Sequence, residues 1–116
     1  MFELTLDKAK DLVLKTIEEK GEDYVYERFE GADTCSYVHG DVPGCLVGHV
    51  LFAAGVSLEW MSEHEGAAAD NIIRRAVSDQ LISADDDTRR FLTGVQEYQD
   101  AQETWGDSYR HAIAWV

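Results

Sequence analysis

Basic residues are scarce in this chain. Its 116 residues include 10 lysines and arginines against 23 aspartates and glutamates, which gives a net charge of −13. All four lysines lie in the first 20 residues, and Arg28 is the only basic residue between Gly21 and Ile73. A surface with this charge repels nucleic-acid phosphates and anionic lipids. The composition therefore argues against direct nucleic-acid or membrane binding and favours a basic protein partner.

The chain has only two cysteines, Cys35 and Cys45, and no long apolar run. Its longest apolar segment is well short of the roughly 20 residues that a membrane span needs. No apolar stretch follows a basic start at the N-terminus, so we expect a cytoplasmic protein with reduced thiols. A chain of this length forms one domain, spanning residues 1–116, with a real hydrophobic core.

Residues 43–55 lie within the longest uncharged stretch and predict a buried central helix. Pro43 suits the first turn of a helix, and Gly55 suits the left-handed residue that ends one. Gly44 and Gly48 lie one turn apart, which leaves a bare stripe where another element can approach closely.

The segments around this helix predict an N-terminal helix, a β-hairpin and further helices. Apolar residues recur at helical spacing in the helical segments, and aromatic and β-branched residues mark the two strands. We expect helices at Leu6–Lys20, 57–66, Ala67–Val77, Ala84–Gln102 and after Thr104, and strands at Tyr24–Phe29 and Cys35–His39. Ser57, Ser83 and Thr104 are the predicted N-caps of three of the helices. The predicted fold class is α+β and mainly helical: an N-terminal helix, a hairpin, a buried central helix and three to four further helices in one domain.

Both cysteines and two of the four histidines fall within 15 residues, at Cys35, His39, Cys45 and His49. Cys45 and His49 are four apart on the predicted helix, so their side chains point the same way and can share a zinc ion. An extended segment places the Cα atoms of Cys35 and His39 about 13 Å apart, which is too far to chelate one ion. A structural zinc site is therefore one hypothesis, and it needs a bend in that strand. The other is that these residues pack into the core, in which case no cofactor is expected.

Cys45 also lies in the predicted first turn of the central helix, where a helix N-terminus stabilises a thiolate. Residues 45–58 resemble the nucleophile helix of the NlpC/P60 cysteine peptidases over about 14 positions. The resemblance implies a cysteine hydrolase with Cys45 as nucleophile and an antiparallel sheet that presents a histidine base. The chain after Ser57 predicts only helices, so His64 and His111 are the downstream candidates for this base.

Carboxylates crowd the predicted surface of the second half of the chain. A dense acidic surface can dock on a basic protein or imitate a nucleic-acid backbone. The alternative is that the charge serves solubility alone. The candidate partner-binding residues are Glu59, Glu63, Glu65, Asp70, Asp85, Asp86 and Asp87.

Several short motifs are similar to a group of small uncharacterised proteins encoded by actinobacteriophages and their hosts. They are Tyr24-Val-Tyr, Cys35-x-Tyr-Val-His39, Pro43-x-Cys-Leu-Val-Gly-His-Val-Leu51 and Gln99-Asp-x-x-x-Thr-Trp-Gly106. The resemblance implies a setting in the phage or the host-cell cytoplasm, and it implies no catalytic residue. We therefore expect a non-enzymatic protein-binding module, acting in host-factor modulation or nucleic-acid mimicry. Homodimerisation stays open.

Overall fold

The computed structural model describes residues 1–27 and 36–116. These form a mainly helical α+β domain, as predicted. The helices are α1 (Leu6–Lys20), α2 (Leu46–Ala53), α3 (Leu58–Glu63), α4 (Ala69–Ser78), α5 (Asp86–Asp100) and α6 (Trp105–Ala112), followed by a 3₁₀ turn (Ile113–Trp115). The strands are β1 (Phe2–Glu3), β2 (Val38–His39), β3 (Val42–Pro43) and β4 (Ile82–Ser83). None of the described helices is long and apolar enough to cross a membrane.

Helix α2 is the buried centre of the domain, as its composition predicts. Leu46, Val50 and Leu51 are fully buried between α1 and α5. Burying an aliphatic side chain of this size contributes about 1.5–3 kcal/mol. Gly55 ends the α2 region with a positive φ of 95°, which confirms its predicted role.

The predicted start of α2 at Pro43 is wrong. Pro43 belongs to strand β3, and Cys45 is the N-cap residue, so Cys45 precedes the first turn. The Cys45 side chain makes no capping bond. Instead, the side chain of Gln99 on α5 accepts a hydrogen bond from the backbone N–H of Leu46 at 3.0 Å.

Segment 36–39 lies close to two glycines, Gly48 in α2 and Gly44 just before it. A Cβ atom on Gly48 would collide with the backbone carbonyl of Tyr37, and one on Gly44 would collide with Ser36 O and the His39 ring. The close approach that the glycine spacing predicts is therefore present. It lets the backbone N–H of Cys45 donate to Ser36 O at 3.1 Å.

The hairpin that the structure describes does not join the two segments that were predicted as strands. Strands β2 and β3 pair antiparallel, with Val38 opposite Pro43 and His39 opposite Val42, around a turn at Gly40. Residues 24–27 are irregular, and the rest of the predicted turn and strands, residues 28–35, lies outside the described residues. The backbone carbonyl of Tyr24 accepts from Trp105 N at 2.8 Å, so this segment pairs with the start of α6.

The second half of the chain follows the predicted order of helices with shifted ends. Ser57 and Thr104 cap α3 and α6 as predicted. Helix α5 starts at Asp86 with Asp85 as its N-cap, and Ser83 lies in β4 instead. Strand β4 pairs in parallel with β1, a contact that the sequence did not predict because two-residue strands carry no periodicity.

Candidate functional site

The structure describes three of the four residues of the predicted zinc site. The Nε2 atom of His39 lies 2.6 Å from the Tyr26 hydroxyl. Cys45 is fully buried, and its Sγ accepts from Gln96 Nε2 at 3.6 Å. Within residues 1–27 and 36–116 no group of three or more potential ligands comes together. Cys35 lies outside these ranges, so the zinc site stays a prediction, to be tested by elemental analysis and chelator sensitivity.

His49 has a well-defined proton position. Its Nδ1 lies 2.9 Å from the backbone carbonyl of Cys45, and because a carbonyl only accepts, Nδ1 must carry the proton. The ring also meets the fully buried Trp105 edge-on, with 5.7 Å between centroids. Burial lowers the pKa of His49, and Lys20 and His39 lower it further, while the Cys45 carbonyl and Glu19 act in the opposite direction. His49 is therefore neutral at physiological pH.

The groups expected of a cysteine hydrolase make other contacts. His64 Nδ1 lies 2.7 Å from the carbonyl of Trp60, and His111 Nε2 lies 3.3 Å from Glu103 Oε1. Residues 57–116, all of which are described, contain one strand, β4, and it pairs in parallel. The antiparallel sheet that the NlpC/P60 resemblance implies is thus not present there. A Cys45 nucleophile stays a prediction, without support from these contacts.

Three of the candidate acidic residues form ion pairs with arginines of α4 and α5. Asp70 pairs with Arg74 at 2.8 Å and with Arg89 at 3.2 Å. Arg89 also contacts Asp86, and Arg90 pairs with Asp87 at 3.4 Å. The charge of these carboxylates is therefore locally balanced by arginines.

Two more of the candidates bind backbone N–H groups. The carboxylate of Glu65 accepts from Tyr37 N at 2.7 Å and from Val38 N at 3.2 Å, which ties the α3–α4 connection to β2. Asp85 accepts from the hydroxyl and the backbone N–H of Thr88, and these two hydrogen bonds lower the pKa of Asp85. Both residues have a structural role in the domain.

Glu59 and Glu63 are the remaining candidates, and they lie one turn apart on α3. Both are exposed, and neither has an ion pair within the described ranges. Beside them the rings of Trp60 and His64 stack, with 3.9 Å between centroids and 25° between planes. Trp60 Nε1 donates to Asp79 at 2.9 Å. We call Glu59, Trp60, Glu63, His64 and Asp79 the α3 patch.

Of the α3 patch, only Glu59 and Glu63 are among the predicted partner-binding residues. A signal for the aromatic pair was present, since Trp60 and His64 have the same four-residue spacing as Glu59 and Glu63. Asp79 is distant in sequence, and only the fold brings it to Trp60.

A groove of about 480 Å³ lies between α1 on one side and β3 and α2 on the other. We call it the α1–α2 groove. Its walls include two exposed apolar side chains, Val42 at 53% and Phe52 at 48% of full exposure. The residues that line it are Leu12, Lys15, Thr16, Glu19, Val42, Pro43, His49, Phe52 and Ala53.

No protein-family model matches this chain, and no curated protein or solved structure matches it either. The geometry of the chain itself therefore carries the functional argument.

Proposed function

We propose that this chain is a non-enzymatic protein-binding module that takes an arginine- or lysine-rich segment of a partner protein on the α3 patch. One observation carries this proposal. Glu59 and Glu63, which have no cationic partner within the described residues, lie beside the stacked rings of Trp60 and His64 on the same short helix. We place the protein in the cytoplasm, in the phage or host setting that its motifs suggest.

The distribution of ion pairs favours the α3 patch over the other candidate carboxylates. Asp70, Asp86 and Asp87 already have arginine partners. Glu59 and Glu63 lie four apart on one helix face, and like charges at this spacing destabilise a helix by a few tenths of a kcal/mol. A cation from a partner removes that repulsion. The free energy of binding is therefore more favourable there than at a carboxylate that already has an arginine partner.

The aromatic pair adds a second attraction for the same groups. A guanidinium lying on an indole face gains about 0.5–1 kcal/mol at an exposed site. The hydrogen bond from Trp60 Nε1 to Asp79 fixes the orientation of the ring before a partner arrives. The net charge of −13 attracts a basic partner from a distance and speeds its encounter.

A defined peptide tests the proposal. Fluorescence anisotropy with a labelled peptide of alternating glycine and arginine should give saturable binding that weakens as salt rises from about 50 to about 300 mM. We expect Glu59→Gln with Glu63→Gln to weaken binding by about tenfold, since two charge-assisted contacts are lost.

The matched control removes the same charge elsewhere. Asp86→Asn with Asp87→Asn also removes two negative charges but leaves the α3 patch intact. The affinity of this variant for the peptide should therefore stay within about twofold of the wild-type value. Equal weakening by both pairs, or binding that is insensitive to salt, would contradict docking on the α3 patch.

A further inference from the structure

We infer that the α1–α2 groove binds a second copy of this chain, as a twofold dimer in which Phe52 of each copy enters the groove of the other. Phe52 itself lines the groove, so each copy presents the inserted side chain and the groove that receives it on the same face. Twofold contacts are self-complementary in this way because the same surface meets itself.

The groove exposes apolar side chains to solvent. Phe52 is 48% exposed although it belongs to α2, the helix of the described ranges that carries no Asp, Glu, Lys or Arg over eight residues. The Leu12 side chain, the Pro43 ring and the neutral His49 line the same groove. An aromatic side chain from a partner fits these neighbours better than a charged one, since an unpaired charge would lose its hydration there.

The net charge of the groove walls favours a second copy as the occupant. Two chains of charge −13 repel each other over most of their surface. Helix α1 carries four lysines and four acidic residues, and α2 carries no Asp, Glu, Lys or Arg, so the two helical walls of the groove have no net charge. Two copies can therefore meet on this face without uncompensated repulsion between the walls.

The rim of the groove is also self-complementary. Lys15 and Glu19 lie one turn apart on α1, and both line the groove. An antiparallel contact about a twofold axis that passes between them brings Lys15 of each copy to Glu19 of the other. Exposed ion pairs of this kind set the register of a contact more than its affinity.

Sedimentation velocity from about 5 to about 500 µM tests the dimer, because mass action populates a weak complex only at high concentration. The wild-type chain should shift from monomer to dimer across this range. Phe52→Asp should stay monomeric. The control is Leu14→Asp, which adds the same charge at an apolar side chain of similar exposure, 43%, that does not line the groove.

A charge swap tests the register. Lys15→Glu and Glu19→Lys should each weaken the dimer several-fold, and the double variant should restore it, because the opposite charges then meet again. A monomer at every concentration overturns the proposal, and so does a dimer that Phe52→Asp leaves unchanged or that the double variant fails to restore. Circular dichroism confirms that each variant is folded.

Salt separates this dimer from the binding of a basic partner. Screening reduces the repulsion between two acidic chains, so the dimer should strengthen between about 50 and about 300 mM salt, while peptide binding on the α3 patch should weaken. Phe52→Asp should retain peptide binding, and Glu59→Gln with Glu63→Gln should retain the dimer. Each of the two proposals can therefore fail without the other.

Discussion

Gln99 on α5 caps α2 by accepting a hydrogen bond from the backbone N–H of Leu46, with 3.0 Å between the two heavy atoms. Gln99 is fully buried, and its Nε2 donates to Asp100 at 3.0 Å. The first N–H groups of a helix have no partner within the helix, and Cys45 supplies no side-chain cap. A side chain 53 residues away in sequence therefore completes the central helix.

We predict that Gln99→Met destabilises the domain by about 1–3 kcal/mol, the cost of a buried N–H group left without an acceptor. Methionine has a similar length and removes only the amide. The free energy of unfolding in urea measures the change. Glu97→Met, at an exposed position of the same helix, should change it by less than about 0.5 kcal/mol. Equal effects from both substitutions would show that the Leu46 hydrogen bond contributes nothing.

We predict that Gly48→Ala is strongly destabilising, by roughly 2–4 kcal/mol, because its methyl group would collide with the backbone carbonyl of Tyr37. Gly94→Ala is the control. Its Cβ would approach the Trp115 ring at 3.0 Å, and that ring belongs to the last turn of the chain, where a small shift is less costly. Alanine also favours a helix over glycine by about 1 kcal/mol. Gly94→Ala should thus be close to neutral, and a neutral Gly48→Ala would contradict the close crossing.

The central helix could be predicted from the sequence because its evidence is local. An uncharged run, a terminal glycine and two glycines one turn apart are all visible in residues 43–55. The start of the helix was misplaced because Pro43 is equally suited to an edge strand, and only its pairing with Val38 decides between the two.

The long-range contacts could not be predicted. The parallel pair of β1 and β4 joins residues about 80 positions apart through two residues on each side. Likewise, Arg89 reaches Asp70 only because α4 packs on α5. The other ion pairs of Asp70, Asp86 and Asp87 join residues three or four positions apart on one helix, a spacing that is visible in the sequence.

We predict that Asp85→Ala costs about 1 kcal/mol, the usual value of an N-cap, and that Ser83→Ala costs much less. The reason is that Asp85 accepts from Thr88 N at 2.9 Å, whereas Ser83 lies in β4. Hydrogen bonds from Thr88 lower the pKa of Asp85 below its unfolded value, so this contribution is present near neutral pH and lost as pH falls through the folded pKa. Urea unfolding of both variants measures the difference. A larger loss of stability in Ser83→Ala than in Asp85→Ala would indicate that Ser83 is the N-cap of α5.

We predict that His49 makes the domain less stable in acid. Burial lowers its pKa in the folded chain, so the unfolded chain binds more protons, and stability falls as pH drops through the unfolded value of about 6.5. The groups that face it are Lys20, Glu19, His39 and the Cys45 carbonyl. His49→Asn retains a donor near the Nδ1 position but cannot titrate. Urea midpoints between about pH 8 and about pH 5 should therefore fall further for the wild-type chain than for the variant. Parallel profiles would assign the acid sensitivity to other groups.

We predict that the Trp60 ring contributes to peptide binding on the α3 patch in a graded way. Trp60→Phe retains an aromatic face but loses the N–H that donates to Asp79, and Trp60→Leu loses both. The affinity for the glycine–arginine peptide should therefore fall from the wild-type chain to Trp60→Phe and further to Trp60→Leu, by about threefold to tenfold in total. Fluorescence anisotropy at low salt gives these affinities, and thermal unfolding checks that each variant is folded. Glu59 and Glu63 remain in both variants. If Trp60→Leu binds as well as Trp60→Phe, the aromatic ring does not contribute to binding and only the carboxylates do.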